Sequence, residues 1–200
     1  MKFTEVTDVK FLPYYNKKIT IVNSEEKPLR FQVPRMYMPF GVSGFVGSSG
    51  PTKWNIDFSM RGYDEEGNYV KKFYDFLREL ESSVIKEVHT QSPSIFGYDK
   101  PIDELEKIFN SNIKVDKFGV WEPKFRVKID NTTSIFDTDN NDLEDELVDG
   151  LYSKSQATCI LEVAGVYFMQ KMFGITWKIY QMRVRRDEPQ EEQGFMFRDV

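Results

Sequence analysis

Cysteine and histidine are almost missing from this 200-residue chain, which has one of each, Cys159 and His89. A lone cysteine excludes an intrachain disulfide, and one cysteine with one histidine cannot build the tetrahedral ligand set of a structural zinc site. No apolar run approaches the roughly 18–20 residues of a helical membrane span. Neither GxGxxG nor GxxxxGK[ST] occurs, so the glycine-rich loops that cradle phosphates are absent. Residues 137–149 are rich in carboxylates, but Asp142 and Val148 stand where a calcium loop needs its glycine and its bidentate glutamate. His89 closes a helical pattern, where a cation suits the helix dipole, and no partner to orient it as a general base is identifiable. These absences point away from an enzyme, and no cofactor or metal is expected. Asp57, on a polar strand face, is the one carboxylate to weigh for metal chemistry, and a hydrogen-bonded surface aspartate is its simpler reading.

Aromatic residues are plentiful at 15% of the chain, with 17 phenylalanines, and the length suffices for one domain with a sizeable core. Charge is unevenly placed. Residues 137–149 hold seven acids and no base, and residues 187–200 hold five acids against Arg198. Against a total of −5, those segments carry −7 and −4, leaving +6 on the rest. Each acidic block read by itself is a solvated loop or terminus. The expected organisation is one domain over 1–186, with an insertion at about 90–118, and an acidic, flexible tail over 187–200.

Period-2 alternation predicts strands at Pro28–Val33, Lys53–Arg61, Glu122–Ile129, Thr158–Met169 and Ile175–Arg186, with a further short one at Lys18–Val22. Pro34, Pro39, Gly41 and Gly44 break up the chain after Val33. Val70, Phe73, Leu77, Leu80, Val84 and Val88 recur at spacings of three and four, predicting one amphipathic helix over Tyr69–Val88 with Asn68 as its N-cap. Pro101 opens a short helix at Ile102–Phe109 inside the insertion. One long helix among about five strands predicts a mainly β protein, a β-barrel of OB-fold type capped by that helix, with the helix between the third and fourth strands.

What remains for function is a binding surface. Single-stranded nucleic acid is held by a basic groove with aromatic platforms on which bases stack. The candidates are Arg30, Arg35, Tyr37 and Phe40; Lys53, Trp54 and Arg61; Trp121 with Lys124, Arg126 and Lys128; and Lys178, Tyr180, Arg183 and Arg185. Trp54 begins the apolar face Trp54-Ile56-Phe58-Met60 and reads as core. Strict alternation along the last strand puts Trp177, Ile179, Gln181, Arg183 and Arg185 on one face and Lys178, Tyr180, Met182 and Val184 on the other, and leaves open which is core.

The segments PLRFQVPRMYMPFGVSGF, KWNIDFSMRGYDEEGNYVKKFYDFLRELESSV, WEPKFRVKI and FGITWKIYQMRV, in that order over most of residues 28–186, resemble an OB-fold family. It is that of the single-stranded DNA-binding proteins of short-tailed coliphages and their relatives in nucleocytoplasmic large DNA viruses. The resemblance implies a non-catalytic protein that coats single-stranded DNA without sequence preference in viral DNA replication, recombination and repair. It also implies an acidic C-terminal tail that contacts replication partners, such as a polymerase or helicase, and occupies the DNA groove when DNA is absent. Here that tail would be Asp187, Glu188, Glu191, Glu192, Phe195, Phe197 and Asp199. The phage proteins end on an aromatic residue, whereas this chain ends on Val200. The expected location is intracellular, in host cytoplasm or nucleus. The competing reading is a structural or protein-interaction β-barrel of a virion or of a replication or transcription complex. Monomer and homodimer are both compatible with the sequence.

Overall fold

The computed structural model describes residues 1–47 and 50–186. Three short strands come first: β1 (Lys10–Phe11), β2 (Lys18–Ile19) and β3 (Ile21–Val22). β4 (Leu29–Gln32) and β5 (Met36–Met38) are halves of one bent strand that pair with the same neighbour. Pro34 lies between them and has no amide to give a ladder. There follow β6 (Val42–Phe45), β7 (Lys53–Ser59), α1 (Tyr69–Thr90), α2 (Ser92–Phe96), α3 (Ile102–Ile108) and β8 (Ile113–Lys114). The chain continues through β9 (Lys124–Ile129), β10 (Ser134–Phe136), β11 (Ser155–Met169) and β12 (Met172–Arg185).

β11 pairs antiparallel with β12 on one side and with β4 and β5 on the other. β5 pairs with β7 and β7 with β9. β9 returns to β12 in parallel through a single pair, Lys128 with Lys178. The ring is thus five staves, counting β4 and β5 as one, in the order first, second, third, fifth, fourth, the closed barrel of an OB fold. α1 was expected between the third and fourth strands. It lies between the second and third staves, because Lys18–Val22 does not become a stave. β2 meets only Val166 and Tyr167 of β11, and β3 pairs with β1 in a separate sheet.

Inward positions of the staves fill the barrel, with Phe31, Phe58, Phe125, Trp177 and Met38 all buried. α1 presents Phe73, Leu77, Leu80, Val84 and Val88 to that core, as its spacing predicts. The Asn68 side chain accepts a hydrogen bond from the Val70 amide at 2.8 Å, and the ring of Phe73 meets Phe125 edge-on at 5.5 Å. The segment expected as an insertion with one helix holds both α2 and α3, and β8 ties it back to β9.

One acid is buried on α1. Glu81 accepts from Ser111 Oγ at 2.6 Å and from Arg78 Nη1 at 3.1 Å. Desolvation holds its carboxyl above the ordinary pKa, against the lowering pull of Ser111 and Arg78. The group's contribution to stability is therefore complete below the ordinary carboxylate pKa and is lost as pH rises through the raised value. Glu81→Gln should raise Tm at pH 7 by about 2–4 °C and leave it nearly unchanged near pH 4, read by melts at both pH values.

Candidate nucleic-acid interface

The faces of β12 follow neither of the two alternations that its sequence allows. Gln181 pairs with Ile160 and Ile179 with Leu161, so Tyr180 is an extra residue, a β-bulge. A one-residue slip exchanges the two faces of a strand. Before the bulge, Trp177 and Ile179 point into the barrel; after it, Met182 and Val184 do. Lys178, Tyr180, Arg183 and Arg185 consequently all lie on the outer wall, although simple alternation separates the first two from the last two.

The register then sets one outward row across the barrel. Arg185 stands opposite Gln156, Gln156 opposite Tyr37, Tyr37 opposite Ser59, and Ser59 opposite Lys124. Strands about 4.8 Å apart make this row about 19 Å long. Beside it, Arg183 stands opposite Thr158. Two clefts lie along the row and share Arg35. One, of about 900 Å³, has Arg35, Thr158, Arg183, Arg185 and Arg186 on its walls; the other, of about 610 Å³, has Arg35, Tyr37, Arg61, Gln156 and Glu122. Among the described residues, Arg35, Arg61, Arg183 and Arg185 have no acidic partner. Aromatic surface borders the same ground: Tyr37 is 39% exposed, Phe40 53% and Trp121 67%. The Lys124 ammonium lies 4.6 Å from the centre of the Phe40 ring.

Glu122 is the acid in this groove. It accepts from Ser59 Oγ at 2.8 Å, and its own backbone amide, Ser59, Arg61 and Lys124 hold its carboxyl below the ordinary pKa. It is therefore charged at neutral pH, beside two of the groove's bases.

The other candidates are placed elsewhere or already engaged. Arg126 makes two 2.7 Å hydrogen bonds to Asp57, which gives that carboxylate the surface role expected of it. Arg30 pairs with Glu162 at 2.6 Å and lies 3.7 Å over the Tyr180 ring, covering a face on which a base could stack. Lys178 meets Asp130 at 3.1 Å and Thr132 at 2.7 Å. Lys53 and Lys128 lie toward the opposite end of β7 from the Ser59 row, opposite Phe45 and Asn55. Trp54 packs against the core, and the other fourteen candidates divide. Arg35, Tyr37, Phe40, Arg61, Lys124, Arg183 and Arg185 come together, with Trp121 next in chain to Glu122. Arg30, Lys53, Arg126, Lys128, Lys178 and Tyr180 do not join them. The tail residues Asp187, Glu188, Glu191, Glu192, Phe195, Phe197 and Asp199 lie outside the described residues.

Sequence reasoning missed Gln156 and Thr158, whose signal is the alternation of Ser155–Val163 with Ala157, Cys159 and Leu161 inward. It also missed how firmly the acidic stretch is held. Asp137 accepts from the Asn141 amide at 2.9 Å, Asp145 from the Tyr152 hydroxyl at 2.8 Å and from Arg186 at 3.0 Å, and Asp149 from the Gly44 amide at 2.6 Å. Asp137, Thr138 and Leu143 thereby form the far wall of the larger cleft. Cys159 is buried, which pushes its thiol pKa up. His89 Nδ1 lies 2.8 Å from the Lys100 carbonyl, joining the end of α1 to the segment before α3. Among the described residues, no three His, Cys, Asp or Glu side chains gather as a metal set would require.

A family model described as a family of unknown function, DUF5871, matches residues 65–199, from just before α1 to the tail. No curated protein matches the sequence. Among solved structures, the chain is similar to the single-stranded DNA-binding protein of bacteriophage Enc34 in complex with ssDNA, at 12% identity and TM-score 0.48, over 90% of this chain and 97% of that one. It is also similar to gp2.5, a single-stranded DNA-binding protein encoded by bacteriophage T7, at 10% identity and TM-score 0.48, over 81% and 96%. With TM-scores below 0.5 these likenesses are distant, and the functional reading rests on this chain's own surface.

Proposed function

The chain belongs to DUF5871, a family that brings no activity with it, and from that premise we propose that it is a non-catalytic protein that binds single-stranded DNA without sequence preference. The observation that carries this reading is the outward row from Arg185 to Lys124. Along it, four arginines free of acidic partners among the described residues line two adjoining clefts with Tyr37, and the exposed Phe40 packs on Lys124 at its end. Guanidinium groups take phosphates, exposed rings take bases, and neither reads sequence. The alternative, a barrel that serves only proteins, would be favoured if the bases of β9 were neutralised by the acids of 137–149. Lys124 and Arg126 instead meet Phe40 and Asp57, and Lys128 has no acidic partner among the described residues.

The tail enters the same proposal. Five acids follow directly on Arg185 and Arg186, at an effective concentration of about millimolar, as for a short flexible tether. They compete with short ligands for the groove and are displaced by a long strand that releases counterions along many phosphates. Once displaced, they are open to a replication partner such as a polymerase or helicase. The setting proposed, viral DNA replication, recombination and repair, rests on the sequence resemblance.

A fluorescence titration tests both parts, using full-length protein and residues 1–186 against a dT oligonucleotide, a duplex of equal length and a matched RNA, at low and moderate salt. Trp177 is buried and Trp54 packs against the core, so a quench on binding reports mainly on the exposed Trp121. Tight, salt-sensitive binding to dT over duplex, tightened further by removing residues 187–200, is the expected result. No binding by either form sinks the reading, and binding unchanged or weakened by the truncation sinks the tail's share of it.

A further inference from the structure

The larger cleft is basic on one side only. Arg35, Arg183 and Arg185 face Asp137 and Thr138 across about 900 Å³. The acids of the 137–149 segment divide by what they do. Asp137, Asp145 and Asp149 accept hydrogen bonds that hold the segment in place. Asp139, Asp142, Glu144 and Glu146 are exposed and make no side-chain hydrogen bond or ion pair among the described residues. The segment is also fastened at both ends. β10 pairs with β12 through Phe136 and Arg183, and the Val42 amide donates to the Leu151 carbonyl at 2.8 Å. Asn140 reaches Arg183 itself at 3.5 Å. Four exposed acids without partners among the described residues therefore sit on the same anchored segment whose Asp137, Thr138 and Leu143 line the arginine cleft.

Resting on the reading above, we propose that this anchored acidic wall is the element that rejects duplex DNA. A single strand is flexible, so its one backbone can follow the arginine side with its bases turned to the wall. A duplex is stiff, with a persistence length of about 50 nm, and carries a negative charge every ~1.7 Å of its axis. Laid on the arginines, it brings its second backbone toward the wall. At ~0.1 M salt, repulsion extends over about 10 Å, so the wall need not touch the duplex to oppose it. The wall costs a single strand less, because only one backbone is present and it lies on the far side.

The test is the full-length chain carrying Asp139→Asn, Asp142→Asn, Glu144→Gln and Glu146→Gln, which spares all three anchors. It is titrated beside the parent with a dT oligonucleotide and with a duplex of equal length, and a thermal melt confirms folding. Duplex affinity should rise on the order of tenfold and dT affinity by less than about threefold, narrowing the discrimination between them. An equal rise for both ligands would make the wall a general damper of anions and overturn the proposal, as would no change in either. A parent that binds dT but discriminates as before once neutralised overturns the wall alone. A parent that binds neither ligand overturns the wall and the single-strand reading together.

Discussion

Arg183→Ala with Arg185→Ala should lower affinity for a dT oligonucleotide by about 100-fold at low salt, taking each guanidinium–phosphate bond at about 1.5 kcal/mol. It should also reduce the slope of log K against log salt by about 1.4, at 0.7 per phosphate contact on a single strand. The reasoning is electrostatic. These guanidiniums have no acidic partner among the described residues, so binding phosphate breaks no internal pair. Arg126→Ala with Lys178→Ala removes the same formal charge but from groups already bonded to Asp57 and Asp130. That second variant should cost less than about threefold, because a pre-paired base must give up one anion to take another. Titrations of the two double variants over a salt series decide the matter. A larger loss for Arg126 and Lys178 would place the path of the strand along the seam between β9 and β12 rather than across the row.

The second large effect concerns the fold. Trp177→Ala should cost about 3–5 kcal/mol in urea unfolding, the usual range for emptying a buried aromatic site. Trp177 is 2% exposed and lies edge-on to Phe31 at 6.0 Å and to Phe125 at 5.3 Å. Those rings come from three different staves, β12, β4 and β9. Trp177 is also next in chain to Lys178, the only residue of β12 paired with β9. Its loss therefore opens a cavity beside one of the two junctions of the ring that are joined by a single residue pair. Trp121→Ala, at a side chain 67% exposed, should shift stability by no more than about 0.5 kcal/mol. A loss below about 1 kcal/mol for Trp177→Ala would mean that the barrel closes without it.

Legibility from sequence tracked how local the deciding interactions are. Lys53–Ser59 and Tyr69–Thr90 were readable because seven and 22 residues repeat one period against one core. Met36–Met38 and Val42–Phe45 were not, because Pro34, Pro39 and Gly41 read as breakers when their pairing partners lie far along the chain. Gly41 has φ +66°, and a Cβ there would sit 2.2 Å from the Leu151 carbonyl oxygen, so this turn needs glycine to let the two segments meet. The face of β12 could not be read, because one extra residue at Tyr180 reverses it and nothing in alternation marks where. Chemical type was legible, in that arginines and aromatics do line a groove. Availability was not, because Arg30 and Glu162 lie 132 residues apart in the chain and meet only across strands.

The row from Lys124 to Arg185 does not close on itself. The Lys128–Lys178 pair puts Lys124 level with a point on β12 about ten residues before Arg185, the Tyr180 bulge discounted, because closing a tilted sheet requires such an offset. At about 3.3 Å per residue that offset is roughly 30 Å. The groove is accordingly a thread cut on a screw. A polymer laid in it advances along the barrel as it turns, leaves at a different level from the one at which it entered, and has no point at which it must cross itself.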